Sequence, residues 1–255
     1  MSHHKIIIDD GFNPEFVETA HFDGILEMPV INRPDRLIVP KGMIPFSKHR
    51  RSISNDEFLV FYEYDTNFAD ILRSPGEFED VLSQFPGMVT LDNSLYVDSP
   101  LTVQIANTYR SRAIGHYYQS RGYYVIPNVR WGDERSYTTC ELPEKFAFLG
   151  LPKNSIVSIG TYGCCKSAEK QRQLRNGLIA MLNELEPEIV LVYGAMPDKV
   201  FKGLMDPKTR FIVTRYSTSA YCCCCYFNRQ ERCTLSAVSE RVYPVPYIRS
   251  SRFSA

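Results

Sequence analysis

The segment Asn128-Val129-Arg130-Trp131-Gly132-Asp133-Glu134 gathers an amide, a guanidinium, two acids and the only tryptophan of the chain. Arg130 could clamp a phosphate or carboxylate with its forked donors, and Trp131 could stack on a base or another ring. Asp133 or Glu134 could move a proton, or hold a divalent cation such as Mg²⁺ or Mn²⁺ through hard oxygens. The same residues also read as a loop closed by an internal Arg–Asp pair, with Trp131 filling the space beneath it.

A second group is Gly160-Thr161-Tyr162-Gly163-Cys164-Cys165-Lys166-Ser167. A glycine-bearing strand end that feeds a helix exposes backbone N–H groups, which attract anions together with Lys166. The spacing of Gly160, Gly163, Lys166 and Ser167 is not that of a P-loop, and a tight turn explains it nearly as well. Cys164 or Cys165 would need a histidine in reach to act as a nucleophile. Nothing in the linear order brings His21, His49 or His116 to them.

The segment after Pro100 carries Gln104, Asn107, Arg110, Arg112, His116, Gln119 and Arg121. At helical spacing Arg110 and Arg121 share a face and Arg112 lies elsewhere. With Tyr117, Tyr118, Tyr123 and Tyr124 this reads either as a basic-aromatic surface for single-stranded nucleic acid or as a solvated outer face with tyrosines against the sheet. The charged run Lys48-His49-Arg50-Arg51 reads as a solvated loop rather than a phosphate site.

What must position these groups is a recurrence of short apolar runs at 36–40, 58–64, 87–92, 123–129, 155–160, 188–193 and 209–215. Most are continuous rather than alternating, as in strands covered on both faces. Helical patterns connect them. Ser74-Pro75 opens one with Phe78, Val81, Leu82 and Phe85 on a face. Ser99-Pro100 opens a second that runs to Gly122 with the stripe Leu101, Ile105, Tyr109 and Ala113. A third starts near Ser167 and carries Leu174, Leu178, Met181, Leu182 and Leu185 before Pro187 ends it. Strand starts recur at the spacing of βαβ units. The expected fold is therefore α/β: repeated βα units with a mainly parallel sheet. A TIM-like or partial barrel is preferred to an open doubly wound sheet, because no glycine fingerprint succeeds the first strand. The segment 22–30 is a further strand or an edge extension.

In such folds ligands bind beyond the carboxyl ends of the strands. Those ends hold Asp65-Thr66-Asn67, Asp92-Asn93-Ser94 with Asp98 beyond, Asn128 onward, Thr161-Tyr162-Gly163, Tyr193-Gly194 and Arg215.

Composition narrows the classes. Lysine plus arginine equals aspartate plus glutamate at 29 each, which argues against a nonspecific nucleic-acid coat while leaving room for a local basic cleft. An apolar fraction of 44% supports a buried core. No apolar stretch has the length of a membrane span, and Ile6-Ile7-Ile8 is too short for a signal-peptide core, so a cytoplasmic location is expected. Cys140, Cys164, Cys165, the run Cys222-Cys223-Cys224-Cys225 and Cys233 are then expected to be thiols. Adjacent cysteines on a strand point to opposite faces, so a shared structural metal is the lesser reading. The chain divides into an arm over 1–20, one α/β domain over 21–216, and a Cys-, Ser- and Arg-containing arm over 217–255 whose last residues, from Arg249, read as disordered.

Several phrases belong together: Phe22-Asp23-Gly24, Met28-Pro29, Phe61-Tyr62-Glu63-Tyr64-Asp65, Asp92-Asn93-Ser94-Leu95-Tyr96, Asp98-Ser99-Pro100-Leu101, Asn107-Thr108-Tyr109-Arg110, Asn128-Val129-Arg130-Trp131-Gly132-Asp133 and Val192-Tyr193-Gly194. In them the chain resembles domain of unknown function 4417, a family of bacteria, phages and other mobile elements, over residues 20 to 216. The resemblance implies a phage or mobile-element origin and no defined chemistry. Its matching positions give a candidate site of Asp65, Asp92, Asp98, Asn107, Arg110, Asn128, Arg130, Trp131 and Asp133, to which Gly163 and Lys166 are added from the second group.

The expected function is an enzyme acting on a nucleotide, nucleic acid or other phosphorylated substrate at the strand-end rim. Asp65, Asp92 and Asp133 would be catalytic, with divalent-metal dependence in view. The alternatives are a nucleic-acid-binding or replication-associated factor without turnover, and a protein-binding or inhibitor module.

Overall fold

The computed structural model describes residues 13–52, 54, 56–204 and 208–214, and the backbone of 238–239. The expectations for Arg215, the cysteine run, Cys233 and the last residues fall outside the described residues, as do most of those for the two arms.

A short antiparallel hairpin opens the fold, β1 (Phe22–Asp23) with β2 (Met28–Pro29). This corrects the single strand expected over 22–30. Glu27 takes a left-handed backbone in the turn, at φ 49°. Then come β3 (Gly42–Pro45), β4 (Glu57–Val60), α1 (Glu79–Leu82), β5 (Met88–Val89), α2 (Leu101–Ser120), β6 (Val125–Ile126) and α3 (Glu134–Tyr137). The second half continues as β7 (Ile156–Gly160), α4 (Ala168–Leu185), β8 (Ile189–Tyr193), α5 (Asp198–Phe201), β9 (Arg210–Thr214) and β10 (Val238–Ser239).

The strands β3-β4-β5-β6 form one parallel sheet in chain order. β7, β8 and β9 form a second parallel set, with β10 antiparallel on its edge. A parallel bridge between Asn128 and Ser158 joins the two sheets just past β6. Mixed α/β architecture with parallel strands and interspersed helices is thus as expected.

Alternate side chains of each parallel strand divide between two destinations. Ile44, Leu59, Met88 and Val125 pack with α2, and Val157, Ile159, Val190, Val192 and Phe211 pack with α4 and α5. The others, Met43, Phe58, Val60, Val89, Ile126, Ile156, Ile189, Leu191 and Ile212, meet in one cluster to which, among the described residues, no helix contributes. Thr214 of β9 donates a hydrogen bond to the Met43 sulfur of β3 at 3.0 Å, so the first and last parallel strands touch.

Local physics accounts for the differences from expectation. The strand expected at 36–40 forms at Gly42–Pro45. Pro34 and Pro40 bracket the apolar run and remove ladder donors, while Leu37 and Val39 pack against the central cluster without strand pairing. The helix expected from Ser74 begins as a 3-10 turn over Pro75–Phe78 and has one α turn, α1.

The α4 helix matches its reading. Ser167 caps it by accepting from the Lys170 N–H, and Leu174, Leu178, Met181 and Leu185 are buried. The α2 helix spans the expected range and ends before Gly122 at φ 87°, but its face differs. Leu101, Ile105 and Tyr109 are half-buried, and the deeply buried positions include Gln104, Thr108, Ser111 and Arg112. That polar face is turned toward the strand ends. No helix of the described residues is long and apolar enough to cross a membrane.

Candidate functional site

A connected polar network lies at the carboxyl ends of β4, β5 and β6. Just beyond β4, the Tyr62 hydroxyl donates to Ser158 Oγ at 2.7 Å and lies 3.1 Å from Asn128 Oδ1. The Asn128 amide donates from Nδ2 to Asp92 Oδ1 at 2.8 Å, and its backbone N–H donates to Thr90 Oγ1 at 2.9 Å. Arg130 stands across from the other Asp92 oxygen at 3.5 Å. The Asp92 side chain is 12% exposed and that of Arg130 25%, so the network runs from a dry interior to one accessible guanidinium.

The packing that fixes this line is close. A Cβ on Gly160 would lie 2.6 Å from the Tyr62 ring, so the strand must carry glycine there. Tyr193, the neighbour of Gly160 on β8, stacks on that ring with centroids 4.9 Å apart. From α2, Arg112 crosses beneath. It is 2% exposed and donates to three backbone carbonyls, those of Asn128, Ala147 and Leu149. Burial draws its pKa down to about 9, still above neutrality, so it holds these carbonyls as a cation.

This burial sets the electrostatics. Desolvation raises the Asp92 pKa, and Arg130 and the Asn128 amide pull it partly back. Asp92 in turn raises Arg130. Desolvation, then the Asp92 charge, push the Tyr62 hydroxyl far above its ordinary range, so it is a neutral donor at any physiological pH.

A branch continues from Asp65, which accepts from the Ser94 N–H at 3.0 Å and its Oγ at 2.7 Å. Asn107 donates to the Ser94 carbonyl at 2.8 Å, and Arg110 donates to Asn107 Oδ1 at 2.9 Å. Asp65 also contributes to the potential at both Asp92 and Arg130. The structure therefore joins Asp92, Asn128 and Arg130 directly, and Asp65, Asn107 and Arg110 in a neighbouring chain of bonds.

The other expected residues lie apart from this line. Asp133 caps α3, taking the Arg135 N–H at 3.0 Å and its guanidinium at 2.7 Å, and Arg135 depresses its pKa. Gln104 approaches Asp133 at 3.5 Å. Trp131 is buried against α4, where a Cβ on Gly177 would come 2.2 Å from its indole nitrogen. Asp98 is exposed. Gly163 takes φ 80° with open space around it, and Lys166 is exposed with Nζ 5.8 Å from the Tyr162 ring centre. Cys164 and Cys165 of their loop are half-buried and pack against the core cluster that holds Val129 and Trp131. Burial lifts the Cys165 thiol to about 11, which opposes thiolate chemistry there.

Sequence reading passed over Tyr62, Thr90 and Ser158 as site residues, and named Ser94 at a strand end without carrying it into the candidate site. Ser158 carries the one usable signal, a hydroxyl in the apolar run Ile156-Val157-Ser158-Ile159. Among the described residues, no three histidines, cysteines or acids are placed to hold a metal ion.

No solved structure shows significant similarity to the chain. It is 32% identical over 150 residues to the Gene 1 protein of Mycobacterium phage L5, covering 58% of this chain and 62% of that protein. To the Gene 1 protein of Mycobacterium phage D29 it is 30% identical over 138 residues, covering 54% of this chain and 48% of the relative. The chain thus spans about half to three-fifths of the length of these curated relatives, both of them phage proteins. Residues 20–216 match the family described as Domain of unknown function (DUF4417), and with well over half of its length matched the chain belongs to that family.

Proposed function

We propose that the strand-end rim binds a phosphorylated ligand, a nucleotide or a nucleic-acid end, and acts on it by proton transfer. Arg130 is the anion clamp and Asp92 the acid. The observation that carries this reading is the line Tyr62–Asn128–Asp92–Arg130, buried at its root and open only at the guanidinium. A dianionic phosphate on Arg130 would draw the cation from Asp92 and add a like charge beside it. Both effects raise a carboxyl pKa that burial has already lifted, so Asp92 would take a proton and hold it ready to donate. Asn128 fixes the carboxyl through one oxygen, and Tyr62, tied to Ser158, holds Asn128.

The scaffold proposed for this site is a partial barrel. The parallel strands would curl about their shared cluster, in keeping with contributions from every parallel strand and with the Thr214–Met43 contact. Mg²⁺ or Mn²⁺ would have to be held largely by the ligand itself, since among the described residues Asp65 and Asp92 are the acids that act on the clamp.

The test is a thermal-shift and titration series with nucleoside mono-, di- and triphosphates, each with and without Mg²⁺ or Mn²⁺. Wild type should be stabilised, and Arg130→Ala should bind about 10–100-fold more weakly, the value of a charge-assisted hydrogen bond. Flat curves for every nucleotide, or equal affinity in Arg130→Ala, would remove the reading.

A second reading, binding of single-stranded nucleic acid without turnover, is favoured by Tyr64, Tyr96 and Tyr162. These exposed rings sit on the loops after β4, β5 and β7, where bases could stack. It calls for retardation of an oligonucleotide that weakens steeply with salt and with Tyr64→Ala.

A further inference from the structure

Beside this site, a cavity of about 230 Å³ opens between α2 and the 3-10 turns Pro14–Phe16 and Ala69–Leu72. Phe16, Leu72 and Ile114 give it an apolar floor, and Tyr109, Arg73 and Arg110 stand in its wall. We infer that this cavity binds a small amphipathic anion, an apolar or aromatic body with a carboxylate that pairs with Arg110.

Size, charge and partnering point the same way. An engineered apolar cavity of roughly 150 Å³ holds benzene, so this one has room for a ring and a carboxylate. Among the described residues that line it, Arg110 is a cation without an ion pair and no acid is present. Arg110 makes one hydrogen bond, to Asn107, and no ion pair with any described residue, so its remaining donors await an acceptor. A neutral apolar guest would leave that cation uncompensated at the cavity wall, and a bare inorganic anion would leave the apolar floor wet. A guest with both parts satisfies both surfaces. The site is separate from the phosphate clamp, because Arg130 does not line it.

The test is calorimetric titration of the full chain with benzoate and with benzyl alcohol, which share a ring and differ in charge. Wild type should bind benzoate at least tenfold more tightly. Arg110→Leu should abolish that preference, and Ala69→Leu, which fills the cavity from a partly exposed turn, should remove binding of both. Arg130→Ala should bind benzoate as wild type does. The inference is overturned if wild type binds neither compound or both equally, if Arg110→Leu keeps the preference, if Ala69→Leu still binds, or if Arg130→Ala does not bind benzoate. Each variant is scored only once its far-UV circular dichroism and unfolding midpoint show it to be folded, and the wild-type comparison needs no variant.

Discussion

Replacing Arg112 by leucine gives the sharpest test of how the site is supported. The guanidinium is 2% exposed and donates at 3.2 Å to the Asn128 carbonyl and at 3.0 Å to those of Ala147 and Leu149. Leucine leaves these acceptors facing a hydrocarbon. An unsatisfied buried group costs about 1–3 kcal/mol, so three carbonyls lose roughly 3–9 kcal/mol. Against this, the variant no longer buries a cation without a carboxylate partner, a relief of several kcal/mol. The acceptor loss wins because the carbonyls cannot leave with the charge. Taking the middle of that loss, about 6 kcal/mol, less about 2–4 kcal/mol of relief, the expected net destabilisation is about 2–4 kcal/mol, a fall in Tm of roughly 4–16 °C for a chain of this size. Equilibrium urea unfolding monitored by Trp131 fluorescence reads it directly, since that buried ring is the only tryptophan. A variant within about 1 kcal/mol of wild type would refute the reasoning, because the side chain would then be packing volume and not the tie among three segments.

Three further outcomes are expected. Burial raises the Asp92 pKa above its ordinary 3.8, so its contribution to stability is fully present below that value and lost as pH rises through the folded pKa; relative to Asp92→Asn, wild type should lose stability from acid toward neutral pH, and an opposite slope in paired denaturation curves would contradict this. Asp133 has the reverse sign: its pKa is depressed by Arg135, so its contribution is present above the ordinary value and lost as pH falls through the folded one. Asp133→Ala should cost about 1 kcal/mol at neutral pH through the lost α3 cap, and that difference should vanish in acid. Gly177→Ala should cost about 1–3 kcal/mol, since its Cβ would meet the indole nitrogen of Trp131, and should red-shift Trp131 emission; an unchanged spectrum would place the ring elsewhere.

The second half of the fold was readable because its strands bury both faces. Ile156-Val157-Ser158-Ile159, Ile189-Val190-Leu191-Val192 and Phe211-Ile212-Val213 are continuous apolar runs, and they became β7, β8 and β9. In the first half the parallel ladder at β5 and β6 is only two residues long, so turns and 3-10 segments hold much of the apolar sequence. There the pattern at 36–40 could not show that prolines would exclude it from the ladder. Period alone also misled on α2. Its apolar stripe lies half-buried, while Gln104, Thr108, Ser111 and Arg112 face inward because the strand ends beneath them are polar. In the site, Asp92, Asn128 and Arg130 stood out as polar residues placed directly after apolar strands. Tyr62 and Ser158 were hidden inside runs that read as core, and Asp133, adjacent in sequence to the best segment, turned toward its own helix. Proximity along the chain says little about convergence when each strand end sends successive residues in different directions.

The chain-order pairing of the parallel strands also bears on how the protein assembles. From β3 to β6, across the Asn128–Ser158 bridge, and from β7 to β9, every parallel strand lies beside its neighbour in sequence. During synthesis each parallel strand after β3 therefore meets a neighbour that already precedes it in the chain. Asp92, Asn128 and Arg130 all precede β7 and α4 in the chain, so the acid and its clamp are synthesised before Ser158 arrives to tie Tyr62 and before α4 exists to cover Trp131.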